Sequence, residues 1–332
     1  MSKKLEEFNL IEKFFQPLTN SCEAAQNLSD DVAKISLKKD EQLIISKDLM
    51  VQGVHFLMSD GGFTIASKLL RSNLSDLASA GATPLHYLLG FSKNSKISEK
   101  FISEFAAGLK SVQDEFGLSL IGGDTVSAKQ LFFSITIFGV AKKSKNLARG
   151  NAKDGDLIFV SGSIGDAYLG LQALNNKVEI ADKKSLKYFL DRHFFPTPRI
   201  NLGQRLLTKN ISKCAIDVSD GLFADLKHIC ESSKLSAEIY QNKIPLSVEA
   251  RKILQKNSKI SVLDLSSAGD DYELIFTVEK KKAKEVEALG RELKLDLTCI
   301  GELKNSANKK CEISLFDEKN KKIKIKKYGY EH

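Results

Sequence analysis

Cys214-Ala-Ile-Asp-Val-Ser-Asp-Gly-Leu222 decides how this chain is read. An apolar run ends in Asp217, a short corner holds Ser219 and Asp220, and Gly221 leads into an apolar-periodic stretch over residues 222–232. That order predicts a buried strand, a turn and a helix. It sets two carboxylates and a hydroxyl at one strand–helix corner. A helix cap needs only one such group, so the surplus points to a metal or a nucleotide, with capping as the rival reading.

The same pattern recurs on either side. Residues 42–48 read as a strand carrying Ser46 and Asp48, residues 63–80 as a helix carrying Asp76, 86–91 as a strand and 99–115 as a helix. A strand over 118–121 runs into Gly122-Gly123-Asp124, and 131–140 alternates Phe133, Ile135 and Ile137 as a half-buried strand should. Phe8, Ile11, Phe14 and Phe15 give residues 1–22 a helical period. After a polar break at 142–156 come a strand at 157–160, a helix at 166–174 and a strand at 272–278. Strands and helices are mixed throughout, so the expected fold is an α/β N-terminal domain, residues 1–148, followed by an α+β C-terminal domain, residues 149–332.

At 332 residues, two cores are expected. Apolar content of 42% and charged content of 28% are those of a globular chain, and no apolar run approaches the ~20 residues of a membrane helix. The N-terminus carries acids and no hydrophobic signal region, which predicts a cytoplasmic protein. Cys22, Cys214, Cys230, Cys299 and Cys311 form no Cys-x-x-Cys pair, which argues against a zinc site or a disulfide framework. The net charge of +8 is read as solvated lysine rather than a nucleic-acid or membrane surface, because few aromatic residues interleave with the basic ones.

Aspartates beside Gly, Ser or another Asp at the ends of apolar runs can meet in a cleft without any core burying an unpaired charge. Such hard oxygen ligands suit Mg²⁺, and Mg²⁺ held by several carboxylates suits a nucleoside triphosphate. Gly162-Ser-Ile-Gly165 before a helix has the look of a phosphate-cradling turn, but it lacks the P-loop ending and is equally a plain turn. Arg149 offers a planar fork for phosphate or a surface charge, and His55 is a ligand contact or a structural histidine.

Taken in order, Asp30-Asp-Val-Ala33, Ile45-Ser-Lys-Asp-Leu-Met-Val-Gln-Gly-Val-His-Phe56, Asn73-Leu-Ser-Asp-Leu-Ala-Ser-Ala-Gly-Ala-Thr-Pro84, Ile121-Gly-Gly-Asp-Thr125, Arg149-Gly150, Pro198-Arg-Ile200, Ala215-Ile-Asp-Val-Ser-Asp-Gly-Leu222 and Gly269-Asp-Asp-Tyr-Glu-Leu274 resemble the thiamine-monophosphate kinase family. That family belongs to the aminoimidazole ribonucleotide synthetase-like superfamily. The resemblance runs nearly end to end. It implies ATP-dependent phosphorylation of thiamine monophosphate to thiamine diphosphate by a homodimer, with Mg²⁺ as cofactor and no general base. It also implies metal positions at Asp30, Ser46, Asp48, Asp76, Asp124, Asp217 and Asp220. ATP contacts fall on Gly123, Asp124, Arg149 and Ser219, and substrate contacts on His55, Asp270 and Tyr330. Lys47, Ala268 and Asp270 depart from the family's usual Thr, Gly and Glu. The alternatives are a catalytically silent nucleotide-binding dimer and another ATP-dependent member of the superfamily.

Overall fold

The computed structural model describes residues 7–306 and 311–330. The chain divides into two compact units, one holding residues through Leu77 together with Ala82–Ser144, the other Ala78–Gly81 and the chain from Lys145 onward. The two-domain mixed α/β architecture is the one expected. Among the described residues, no helix is long and apolar enough to cross a membrane.

In unit 1 the opening segment is not one helix. A short α1 (Glu7–Leu10) widens into a π-helical turn at Ile11–Phe15 and tightens into a 3₁₀ turn at Gln16–Thr19. Pro17, which has no N–H to donate, sits at the start of that last turn, and Asn20 ends it in a left-handed conformation. Leu10, Phe14, Phe15 and Leu18 are buried, whereas Phe8 stays 84% exposed. Residues 1–6 of the expected helix lie outside the described residues.

The sheet of unit 1 is built from β1 (Glu41–Val51), β2 (Thr83–Lys93), β3 (Ser119–Ser127) and β4 (Phe132–Lys142), in the order β1-β4-β2-β3. β4 runs antiparallel to both β1 and β2, so those two point the same way; β2 and β3 are parallel. The crossovers between like-directed strands are α2 (Gly62–Ala80) and α3 (Glu99–Phe116). Ser98 caps α3 by accepting the N–H of Phe101, and Gly117 closes it in a left-handed conformation. Phe101, Ile102, Phe105, Leu109 and Val112 form its buried stripe. Phe105 packs 4.6 Å from Phe133 and 5.2 Å from Phe91, centroid to centroid, and each such ring removed from water contributes about 1.5–3 kcal/mol. The other sheet face is open: Ile45 is 56% and Leu49 49% exposed.

Unit 2 holds β5 (Leu157–Ser161), α4 (Asp166–Leu174), α5 (Lys183–Phe194), α6 (Ile200–Thr208), β6 (Cys214–Asp217), α7 (Leu222–Ser233), β7 (Leu235–Tyr240), α8 (Val248–Lys256), α9 (Val262–Ser266), β8 (Leu274–Val278), α10 (Ala283–Leu293), β9 (Leu297–Asn305), β10 (Ile313–Phe316) and β11 (Lys322–Ile323). The sheet order is β11-β10-β7-β9-β5-β8-β6, antiparallel except for β10 beside β7. β6 and β8 are buried along their whole length, as their unbroken apolar runs predict. α7 turns Phe223, Leu226, Ile229 and Cys230 into the core formed by Ile158, Val160, Ile216 and Ile275. β8 starts at Leu274, two residues later than the sequence pattern suggests, because Tyr272 adopts a left-handed φ of 51° that no strand tolerates. All five cysteines are free thiols.

Candidate active site

In unit 1 the pleat of β1 sorts its side chains. Ile45, Lys47 and Leu49 are exposed, while Ser46 and Asp48 are partly buried on the other face. Ser46 Oγ donates to Asp76 Oδ2 of α2 at 2.5 Å. β1 is an edge strand, so alternate N–H groups look for partners outside the sheet. At Asp48 that partner is Asn73, fully buried and one helical turn before Asp76, whose Oδ1 accepts the Asp48 N–H at 3.2 Å while its Nδ2 donates to the Leu69 carbonyl at 2.8 Å. Ser46, Asp48 and Asp76 are thus brought together by two brackets between strand and helix.

Asp124 is exposed on β3, the opposite edge strand, preceded by Gly123. A Cβ on Gly123 would stand 2.0 Å from the Leu89 carbonyl oxygen, so only glycine fits there. Asp30 lies in the exposed stretch before β1, its Oδ1 accepting the Asp31 N–H. His55 Nδ1 accepts the N–H of Val51 at 3.1 Å, which places the proton of the neutral ring on Nε2.

In unit 2 the expected corner forms, with Asp217 buried at the end of β6 and Ser219 and Asp220 half-buried after it. A carboxylate that the pattern did not single out organises this corner. Asp225, buried in the first turn of α7, accepts the N–H groups of Asp220 and Gly221 on Oδ2 at 3.1 and 3.0 Å. Burial, and then the neighbouring Asp220 charge, push its pKa up to about 7 against the pull of those N–H groups.

Two further segments are laced to the corner. Asp270 N–H donates to the Ser219 carbonyl at 2.9 Å and Tyr272 N–H to the Val218 carbonyl at 2.8 Å. Asp270 and Tyr272 both take left-handed backbone angles, at a cost of order 1–3 kcal/mol each that these bonds help to offset. Asp270 Oδ1 accepts the Tyr272 hydroxyl at 3.3 Å, and its Oδ2 lies 3.9 Å from His193 Nδ1. From the C-terminal side, the Lys327 carbonyl accepts Ser267 Oγ at 2.6 Å, the Tyr328 carbonyl accepts the Ala224 N–H at 3.1 Å, and Tyr330 N–H donates to the Asp220 carbonyl at 2.9 Å. Asp217, Ser219, Asp220, Asp270 and Tyr330 therefore share one assembly of backbone segments. Arg149 stands exposed in a 3₁₀ turn whose carbonyl accepts Ser233 Oγ.

Behind this assembly is a buried polar network. Glu273, fully buried, takes a two-pronged bond from Arg199 (2.6 and 2.5 Å), one from Arg192 (2.8 Å) and one from Ser161 Oγ (2.6 Å). Burial alone would raise its pKa, but Arg199 and then Arg192 hold the carboxyl below its usual range. The Gly162–Gly165 turn proves to be already filled: Asp271 accepts the Gly165 N–H at 2.7 Å and the Ala167 N–H at 3.4 Å. The acceptor at the start of α4 is the protein's own Asp271 carboxyl, whose pKa burial pushes well above the usual carboxylate range, so of the two readings the plain structural turn holds.

Residues 29–141 match the family model "AIR synthase related protein, N-terminal domain", and residues 153–314 match "AIR synthase related protein, C-terminal domain". The thiamine-monophosphate kinase of Buchnera aphidicola subsp. Schizaphis graminum is 37% identical over 329 residues, 98% of either chain. That of Haemophilus influenzae is 37% identical over 307 residues, 92% of this chain and 90% of its own. Among solved structures, the thiamine-monophosphate kinase of Stenotrophomonas maltophilia K279a superposes with a TM-score of 0.81 at 33% identity, covering 93% of this chain and 96% of that one. AaThiL complexed with AMPPCP and TMP superposes with a TM-score of 0.76 at 26% identity, covering 99% and 100%. With both domains matched and its relatives covered nearly end to end, the chain belongs to the thiamine-monophosphate kinase family of AIR synthase related proteins.

Proposed function

We propose that this chain transfers the terminal phosphoryl group of ATP to the phosphate of thiamine monophosphate, yielding thiamine diphosphate in thiamine biosynthesis. The observation that carries the reading is the laced corner of unit 2, where Asp217, Ser219 and Asp220 adjoin Asp270 and Tyr330, in a chain similar throughout to thiamine-monophosphate kinases. The acceptor is itself a phosphate oxygen, ionised near neutral pH, so no side chain has to remove a proton. Positioning and charge then carry the catalysis.

The donor set fits Mg²⁺. Ser46, Asp48 and Asp76 present hard oxygens at one strand–helix contact, and Asp217 and Asp220 do so at the corner. In unit 1, Asp30, Ser46, Asp48, Asp76 and Asp124, and separately in unit 2, Asp217 and Asp220, are the residues that would hold Mg²⁺ ions. When bound, Mg²⁺ supplies charge neutralisation and alignment of the phosphates. Gly123 and Asp124, exposed on an edge strand, are the ATP contacts of unit 1, and Ser219 and the Arg149 fork are those of unit 2. His55, with its ring proton on Nε2, is matched to an acceptor phosphate oxygen, while Asp270 and Tyr330 face the thiamine moiety. A reaction that draws on ATP fits a cytoplasmic protein.

The open face of the unit 1 sheet, with Ile45 and Leu49 half exposed on an edge strand, supports a homodimer in which a second copy covers that face. Light scattering at micromolar concentration is expected to give twice the chain mass; a monomer mass would count against it. For the activity itself, purified protein with ATP, Mg²⁺ and thiamine monophosphate is expected to form thiamine diphosphate and ADP. Tight ATP binding with no product would instead identify a silent nucleotide-binding protein.

A further inference from the structure

We propose that Gly329 is a positioning residue for acceptor recognition, because its missing side chain lets the C-terminal tail lie against the Asp220 corner and thereby fixes where the Tyr330 ring stands. The inference rests on the reading above that Tyr330 meets the acceptor. Gly329 is buried between two half-exposed tyrosines, Tyr328 and Tyr330, 37% and 49% exposed. A Cβ built on it would lie 2.5 Å from the Ala224 Cβ and 2.7 Å from the Asp220 carbonyl oxygen. Neither neighbour can swing away: one is a methyl fixed to the first turn of α7, the other is backbone of the metal-binding corner. The tail would have to lift instead.

The same two residues hold the tail by hydrogen bonds on either side of the glycine. Ala224 N–H donates to the Tyr328 carbonyl at 3.1 Å, and Tyr330 N–H donates to the Asp220 carbonyl at 2.9 Å. A shift of about 1 Å would stretch both beyond hydrogen-bonding length. The Asp225 carboxylate holds the Asp220 and Gly221 N–H groups from the opposite side of the corner, so the corner keeps its shape when the tail leaves. The structure thus separates two roles that are adjacent in space: Asp225 fixes the metal-binding corner, and Gly329 fixes the substrate aromatic upon it.

The test compares Gly329→Ala with Tyr330→Ala in the full-length protein. Gly329→Ala is expected to raise KM for thiamine monophosphate about tenfold while kcat stays within about threefold, the signature of lost acceptor binding rather than lost chemistry. Binding of Mn²⁺ alone, followed by electron paramagnetic resonance, is expected to stay at the wild-type affinity. Tyr330→Ala should raise the same KM. If Tyr330→Ala leaves KM unchanged, the assignment of Tyr330 to the acceptor falls and the role of Gly329 with it. If Tyr330→Ala raises KM and Gly329→Ala does not, that assignment stands and the positioning role is overturned. A loss of Mn²⁺ affinity in Gly329→Ala as large as the rise in KM also overturns it, since the glycine would then belong to the metal-binding corner.

Discussion

The acids of unit 1 and those of unit 2 are set in opposite ways. In unit 1, Asp124 and Asp30 are exposed, and Ser46, Asp48 and Asp76 meet at a partly open contact between an edge strand and a helix. In unit 2, Glu273, Asp271 and Asp225 are buried, and each is satisfied by the chain itself, through guanidinium groups in the first case and backbone N–H groups in the others. A buried carboxylate without such partners would cost several kcal/mol, so these three are the scaffold that shapes the corner. Asp217 and Asp220 sit between the two kinds, on the corner the scaffold shapes. In Glu273, Asp271 and Asp225, full burial together with an internal partner marks an acid that holds the fold.

The largest effect that would test this contrast is on stability. Glu273→Ala leaves the largely enclosed Arg192 and Arg199 without their carboxylate partner beside a cavity, and it is expected to destabilise unit 2 by about 3–5 kcal/mol in urea unfolding. A loss below ~1 kcal/mol would show that the network is incidental. Asp124→Asn and Asp220→Asn should behave in the reverse manner, keeping the unfolding midpoint while lowering kcat on the order of 10²-fold or more, because under the proposed function each removes a charge that holds Mg²⁺ at the phosphates. Turnover near the wild-type level at saturating Mg²⁺ in either variant would reduce that residue to a structural acid. The smallest effect concerns Lys47, which alternation along β1 turns away from Ser46 and Asp48 onto the exposed sheet face. Lys47→Thr is expected to leave kcat and its Mg²⁺ dependence within about threefold, less than ~1 kcal/mol of barrier. A steeper Mg²⁺ requirement would mean that the ammonium stands in for an ion.

Much of the fold is legible in the sequence. The 214–222 stretch folds as a strand, corner and helix, α4 occupies the residues expected, and the alternation of Phe133, Ile135 and Ile137 marks the buried face of β4. Where a local pattern fails, a local conformational cause is found. The opening helix is interrupted where it changes to π and 3₁₀ turns, and β8 is shortened by the left-handed Tyr272. Of the candidate site residues, Asp217 ends its strand as expected, whereas β3 continues through Gly122-Gly123-Asp124 to Ser127, because pairing with β2 extends the strand past the glycines. Asp225 stands beside no Gly, Ser or Asp that would single it out, and the partners of Asn73, Arg192 and Gly329 cannot be read from their neighbours in sequence.

The sequence by itself determined the strands and crossover helices of unit 1, the strand, corner and helix over 214–222 and the family to which the chain belongs, since those follow from periods of two and 3.6 residues and from motifs a few residues long. Only the tertiary structure decided which acids are already spoken for. Ser46 meets Asp76 across 30 residues of chain, Arg199 meets Glu273 across 74, and Ser161 meets Glu273 across 112. A hydrogen bond is made or lost over a fraction of an ångström, and no short-range pattern fixes distances between segments so far apart along the chain.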